Sequence, residues 1–107
     1  MPARHQLTIL ATDDLDAAVA FYQSAFEWPA AVETPVYVEL ALPGDQRLGL
    51  YAVSAFSKTT ASPVSPRIEG QTTRTEIYLY CDPFQATLER LERLGAPCLS
   101  RVAARPW

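Results

Sequence analysis

The sequence predicts an α+β fold made of two β-α-β-β-β units, the second incomplete, and three observations predict it. Runs rich in β-formers alternate with helical apolar spacing. Each helical stretch follows a β-rich run through an aspartate suited to an N-cap. The two halves also superpose at an offset of 69 residues, which places Asp13 on Asp82, Leu15 on Phe84, Val19 on Leu88 and Tyr22 on Leu91.

The first unit opens with "QLTILA" (6–11), a short strand, and continues into "TDDLDAAVAFYQSAF". There Leu15, Ala18, Val19, Tyr22 and Phe26 recur at helical spacing behind the aspartates. Trp28 and Pro29 end that helix, because the residue before a proline is pushed out of the helical region. "AAVE" (30–33) supplies a short strand, and "VYVELALPGDQRLGLY" (36–51) reads as two strands joined at Pro43, Gly44 and Asp45. From residue 52 to 74 the chain is rich in Ser and Thr, holds Pro63 and Pro66, and shows little periodicity, so it reads as a connecting loop. "TEIYLYC" (75–81) begins the second unit as a strand. The next helix has Asp82 as cap, Pro83 as first residue, Phe84, Leu88 and Leu91 as its buried stripe and Gly95 as its stop. "PCLSRVAARPW" (97–107) supplies one more strand, and the counterpart of the first unit's hairpin would fall beyond Trp107.

The 107 residues, 49% of them apolar, suffice for one domain over 1–107: module one at about 1–55, the loop at about 56–73 and an incomplete module two at about 74–107. A net charge of −3 without any basic run argues against nucleic acid as a partner. No stretch approaches the ~18 consecutive apolar residues of a membrane span, and no basic-then-apolar leader precedes the first strand, so a soluble cytoplasmic protein is expected. Cys81 and Cys98 form no Cys-x-x-Cys pair or Cys/His cluster and are read as reduced core residues.

Strand alternation gives the hairpin two faces. Val38, Leu40, Leu42, Leu48 and Leu50 share the one expected against the helices. Tyr37, Glu39, Ala41, Arg47, Gly49 and Tyr51 share the other. In the second unit Ile77, Leu79 and Cys81 oppose Glu76, Tyr78 and Tyr80. Glu39 lies mid-strand among apolar residues, where an unpartnered charge is costly to bury. It is therefore expected on the open side, within reach of water, a ligand or Arg47. A scatter of Tyr and Glu on an exposed sheet face explains any one of these residues nearly as well; the recurrence of Tyr-x-Glu and Glu-x-Tyr on matching faces favours a lined cavity. A carboxylate in such a cavity could serve as a general base if burial raised its pKa, and pairing with Arg47 is the competing expectation.

At this point the chain resembles the vicinal oxygen chelate superfamily, which includes glyoxalase I, bleomycin-resistance proteins and extradiol dioxygenases. The resemblance is carried by "ILATDDLDAAVAFYQSAFEW", the hairpin "VYVELALPGDQRLGLY" and "TEIYLYCDPFQATLERLERLGA", which together cover most of the chain. It implies paired modules forming a curved, open, barrel-like sheet with helices on its outer face, around a cavity often completed by dimerisation. Metal-using members place one ligand on the first and one on the last strand of each module. Carried over, these positions fall on Leu7, Glu76 and Gly49, with Glu39 in a less favoured register and the fourth position beyond Trp107. Leucine and glycine side chains cannot coordinate.

The resemblance implies first a metal-independent small-molecule binder of the bleomycin-resistance kind, with Tyr37, Glu39, Arg47, Tyr51, Glu76, Tyr78 and Tyr80 lining the site and no cofactor. A homodimer, with or without exchanged modules, would complete it. The alternative is a metal-dependent lyase, isomerase or dioxygenase holding a divalent ion through Glu76 with Glu39 or His5. His5 lies two residues before Leu7, hence on the same expected face, yet a lone histidine near a terminus reads better as an exposed side chain. A third reading is a shortened relic with little activity, kept soluble by association.

Overall fold

The structure, a computed structural model, describes residues 2–100. It is α+β, with a four-stranded curved open sheet in the order β1-β4-β3-β2 and helices packed on it. The strands are β1 (Leu7–Thr12), β2 (Ala30–Glu33), β3 (Tyr37–Leu42) and β4 (Gln46–Ala52). The helices are α1 (Leu15–Phe26), α2 (Val53–Thr60) and α3 (Phe84–Arg93).

α1 starts where the Asp14 side chain accepts a hydrogen bond from the Ala17 amide at 3.0 Å, filling one of the donors that a helix start leaves unpaired. It ends at Glu27, whose backbone turns left-handed at φ 59° just before Trp28 and Pro29. The hairpin closes on the pair Leu42 and Gln46 around the expected three-residue turn, and β1 runs parallel to β4 from Leu7 opposite Arg47 to Thr12 opposite Ala52.

The helix-covered face is the one the alternation predicts. Val38, Leu40, Leu48 and Leu50 are buried there, and Leu10, Leu15, Ala18, Val19, Tyr22 and Trp28 pack against them. Each fully buried leucine contributes about 2 kcal/mol relative to exposure. Tyr22 lies partly in this layer, and burial raises its pKa.

Several expectations are corrected. Residues 53–60, expected as loop, form α2. Half of the segment is Ser and Thr, weak helix formers. Packing on β4 and β1 supplies what propensity lacks. Residues 75–81, expected as a strand, run without a strand partner among the described residues. In module one the first strand is held by β4; no described segment plays that part here. α3 begins one residue later than expected, because Pro83 keeps an extended ψ of 135° and occupies the cap position itself. Its Phe84 is 51% exposed, so the buried stripe reduces to half-buried Leu88 and Leu91. Its end is as expected: the Gly95 amide reaches the Glu92 carbonyl and the Ala96 amide the Leu91 carbonyl, both at 3.0 Å, with Gly95 at φ 78° where a side chain would be strained. Cys81 and Cys98 are both unbridged, but Cys81 is half-buried and Cys98 exposed, so neither is a core residue. Residues 97–100 form no strand, and the rest of that expected strand, 101–107, lies outside the described residues. No helix among the described residues is long and apolar enough to cross a membrane.

Candidate functional site on the concave sheet face

The opposite face of the sheet carries the polar cluster. Cross-strand pairing sets Glu39 between Gly49 on β4 and Val32 on β2, with Ile9 beyond Gly49 on β1. Tyr37 is held at the start of β3 by the preceding turn: its amide donates to the Thr34 hydroxyl at 2.9 Å, and its carbonyl accepts from the Thr34 amide at 2.8 Å.

From there the Tyr37 phenol donates to one Glu39 carboxylate oxygen at 2.7 Å, and Arg47 donates to the other at 2.7 Å. Gly49 makes the first contact possible. A Cβ at position 49 would lie 2.5 Å from the phenol oxygen, so the ring occupies space that any other residue would claim. Arg47 sits diagonally across the hairpin from Glu39, a separation a long side chain spans. The carboxylate is 15% exposed and the guanidinium 39%. The isolated mid-strand charge is thus satisfied on both oxygens, and Arg47 pairing is the outcome.

The cluster extends along the face. Tyr37 and Tyr51 meet edge to face with centroids 5.1 Å apart, and Tyr51 meets Phe56 of α2 in the same way at 5.9 Å. The Tyr51 hydroxyl and the Thr59 hydroxyl are hydrogen-bonded at 3.0 Å. Phe56 and Thr59 were missed because they lie in the stretch read as loop; the spacing of Val53 and Phe56 was the available signal.

Electrostatics decide what this cluster can do. The Tyr37 hydrogen bond, reinforced by Arg47 and opposed by partial burial, holds the Glu39 carboxyl below the ordinary carboxylate range. Burial, then the hydrogen bond to Glu39 and its charge, push the Tyr37 phenol above its ordinary value. A general base working near neutral pH needs the opposite shift. The arrangement presents a fixed charge pair and aromatic edges; it does not present a poised proton acceptor.

Of the seven expected lining residues, Tyr37, Glu39, Arg47 and Tyr51 come together. Glu76, Tyr78 and Tyr80 do not join them; all three are exposed on the segment 75–81. Tyr78 and Tyr80 instead border a cleft on the helix-bearing side that Arg47 also touches. His5 bonds to Gln46 and to the Thr8 hydroxyl, residues whose strand positions alternate with the concave set, so it lies away from Glu39 rather than on its face. Among the described residues no three His, Cys, Asp or Glu side chains converge on a common point.

The profile of the glyoxalase-like domain family matches residues 7–107. The chain belongs to that family. The family match and the similarity to solved glyoxalase/bleomycin resistance/dioxygenase structures together support membership of the vicinal oxygen chelate superfamily. A glyoxalase/bleomycin resistance protein/dioxygenase from Nocardioides is 25% identical with a TM-score of 0.75, covering 100% of this chain and 72% of its own. A lactoylglutathione lyase from Agrobacterium tumefaciens is 26% identical with a TM-score of 0.66, covering 94% of this chain and 76% of its own. A hypothetical protein from S. aureus shares the fold at a TM-score of 0.76 and 12% identity, over 99% of this chain and 80% of its own. No curated protein matches significantly.

The metal positions implied by the superfamily can be tested against these side chains. Leu7 offers no donor, the space at Gly49 is filled by the Tyr37 ring, and both Glu39 oxygens are engaged. These described residues of the glyoxalase-like domain do not fit a divalent metal, which needs several free N or O donors in fixed geometry.

Proposed function

We propose that this glyoxalase-like domain binds a small molecule on its concave face without a resident metal ion, with Tyr37, Glu39 and Arg47 as the polar recognition group. The observation that carries the reading is the engagement of both Glu39 oxygens by protein donors across the gap left at Gly49. Around this group lie the partly exposed apolar side chains of Ile9 and Val32 and the rings of Tyr51 and Phe56. Apolar surface with a few fixed polar groups suits a partly aromatic ligand whose polar substituent meets the guanidinium. The ligand is sequestered, not transformed, since neither Glu39 nor Tyr37 is poised for proton transfer. A second copy of the chain supplies the missing wall of the cavity.

The second reading, a metal-dependent lyase, isomerase or dioxygenase, draws on the name of the Agrobacterium tumefaciens relative. Native mass spectrometry of protein purified without added metal or chelator separates the two. The binding reading expects metal-free protein and, in NMR titrations with aromatic and glycopeptide-like compounds, saturable shifts of amides in β3 and β4. One transition metal per chain, lost on Glu76→Ala, would overturn it.

A further inference from the structure

We propose a second ligand site, for a planar aromatic anion, in the cleft between the hairpin end of the sheet and the segment 77–82. The cleft has a volume of about 550 Å³, within the span typical of small-molecule sites. Its apolar lining comes from Trp28 and Leu42 on one side and from Ile77 and Leu79 on the other, beside the polar side chains of His5, Thr8, Gln46 and Thr87. The Trp28 ring is fixed by stacking on Phe26 with centroids 4.7 Å apart, so a flat surface is held in place before any ligand arrives. Tyr78 and Tyr80, 80% and 90% exposed, also border the cleft, two large rings with little of their surface covered.

The charge around the cleft selects the ligand. Arg47 and Arg90 border it with one carboxylate, Asp82, and because Arg47 is already paired with Glu39, the guanidinium left for a ligand is that of Arg90. Arg90 is preorganised. It donates one N–H to the Ala25 carbonyl at 2.8 Å, capping one of the carbonyls that the end of α1 leaves unpaired. Its other nitrogens make no hydrogen bond among the described residues, and a planar guanidinium so anchored offers paired donors to a carboxylate or sulfonate. An aromatic body between Trp28 and the Ile77 and Leu79 wall, with its anionic group toward Arg90 and its outer edge near Tyr80, uses each of these features. The site is separate from the concave face, and Arg47 alone touches both.

The test compares naphthoate with naphthylmethylammonium, the same ring carrying opposite charge, by amide-resolved NMR titration. Naphthoate is expected to saturate one site with shifts at 77–82 and 87–90, binding about tenfold or more tighter than the ammonium, a difference of about 1.4 kcal/mol. Arg90→Met should erase that preference, and Tyr80→Ser, at an exposed position that leaves folding intact, should weaken naphthoate several-fold. Equal binding of the two probes, or no saturation, overturns the proposal. So do shifts confined to residues 37–51, which would uphold the concave site alone. So do shifts at 77–82 on dilution of the protein without probe, which would mean that a second copy covers the cleft.

Discussion

A methyl group added at Gly49 would meet the Tyr37 phenol oxygen at 2.5 Å and two of its ring carbons at 2.8 and 2.9 Å. The ring is tethered by Glu39 and flanked by Tyr51, so it cannot swing aside freely. Gly49→Ala is expected to cost about 1 to 3 kcal/mol in denaturant unfolding. In a Tyr37→Ala background the same change should cost almost nothing, and equal penalties in both backgrounds would show that the ring is not the obstacle. Glu39 gives a pH signature. Its folded pKa is depressed, so its ionised form contributes stability above the ordinary value of 4.5, and that contribution fades as pH falls through the folded pKa. Wild type should therefore exceed Glu39→Gln in stability at neutral pH, and the gap should shrink below about pH 4.5; a gap constant down to pH 3 would contradict the assignment. Mid-strand Glu39 was legible as a residue facing away from the core, and Arg47 as its diagonal partner. The phenol across Gly49 was not, because a contact through an absent side chain leaves no pattern in the sequence.

Elements were legible where local signals and packing agreed. α1 has a capping aspartate, an apolar stripe and a proline stop, and the hairpin has alternation on both arms. α2 had none of these: it carries no side-chain cap and ends on Ala61 in a left-handed conformation at φ 54°. A left-handed alanine is strained where glycine is not. Ala61→Gly should accordingly raise stability by about 0.5 to 1 kcal/mol, measured as a higher denaturant midpoint at unchanged slope. A loss of stability would mean that the turn after α2 is not held as described. Residues 75–81 failed in the other direction. Their alternation is as good as that of β3, but a strand needs a ladder partner as well as a pattern, and none is present among the described residues.

For the whole molecule, the sequence made the duplicated plan and the division between core and open face readable, and those were enough to indicate the family. It did not reveal that the two sets of tyrosines would part company, one on the concave face and one beside a cleft, because side chains on different segments converge only through the placement of those segments. Among the described residues the open sheet also leaves β2 as an unpaired edge, short and bulged at Ala31 but bearing exposed Val32. Such edges recruit another chain. Light scattering at micromolar concentration should report a dimer, and Val32→Lys should shift it toward monomer; a monodisperse monomeric wild type would refute the association. The parallel pairing of β1 with β4 bears on how the chain acquires its shape. Emerging from the ribosome ahead of β4, β1 must wait some forty residues for the strand it will lie beside, whereas β3 and β4 meet within a few residues of each other. Synthesis order and zipping order are thus reversed for β1. Nascent chains stalled before Gln46 has left the exit tunnel would hold β1 as open bait for chaperones and proteases, and release of a few more residues would end that exposure abruptly.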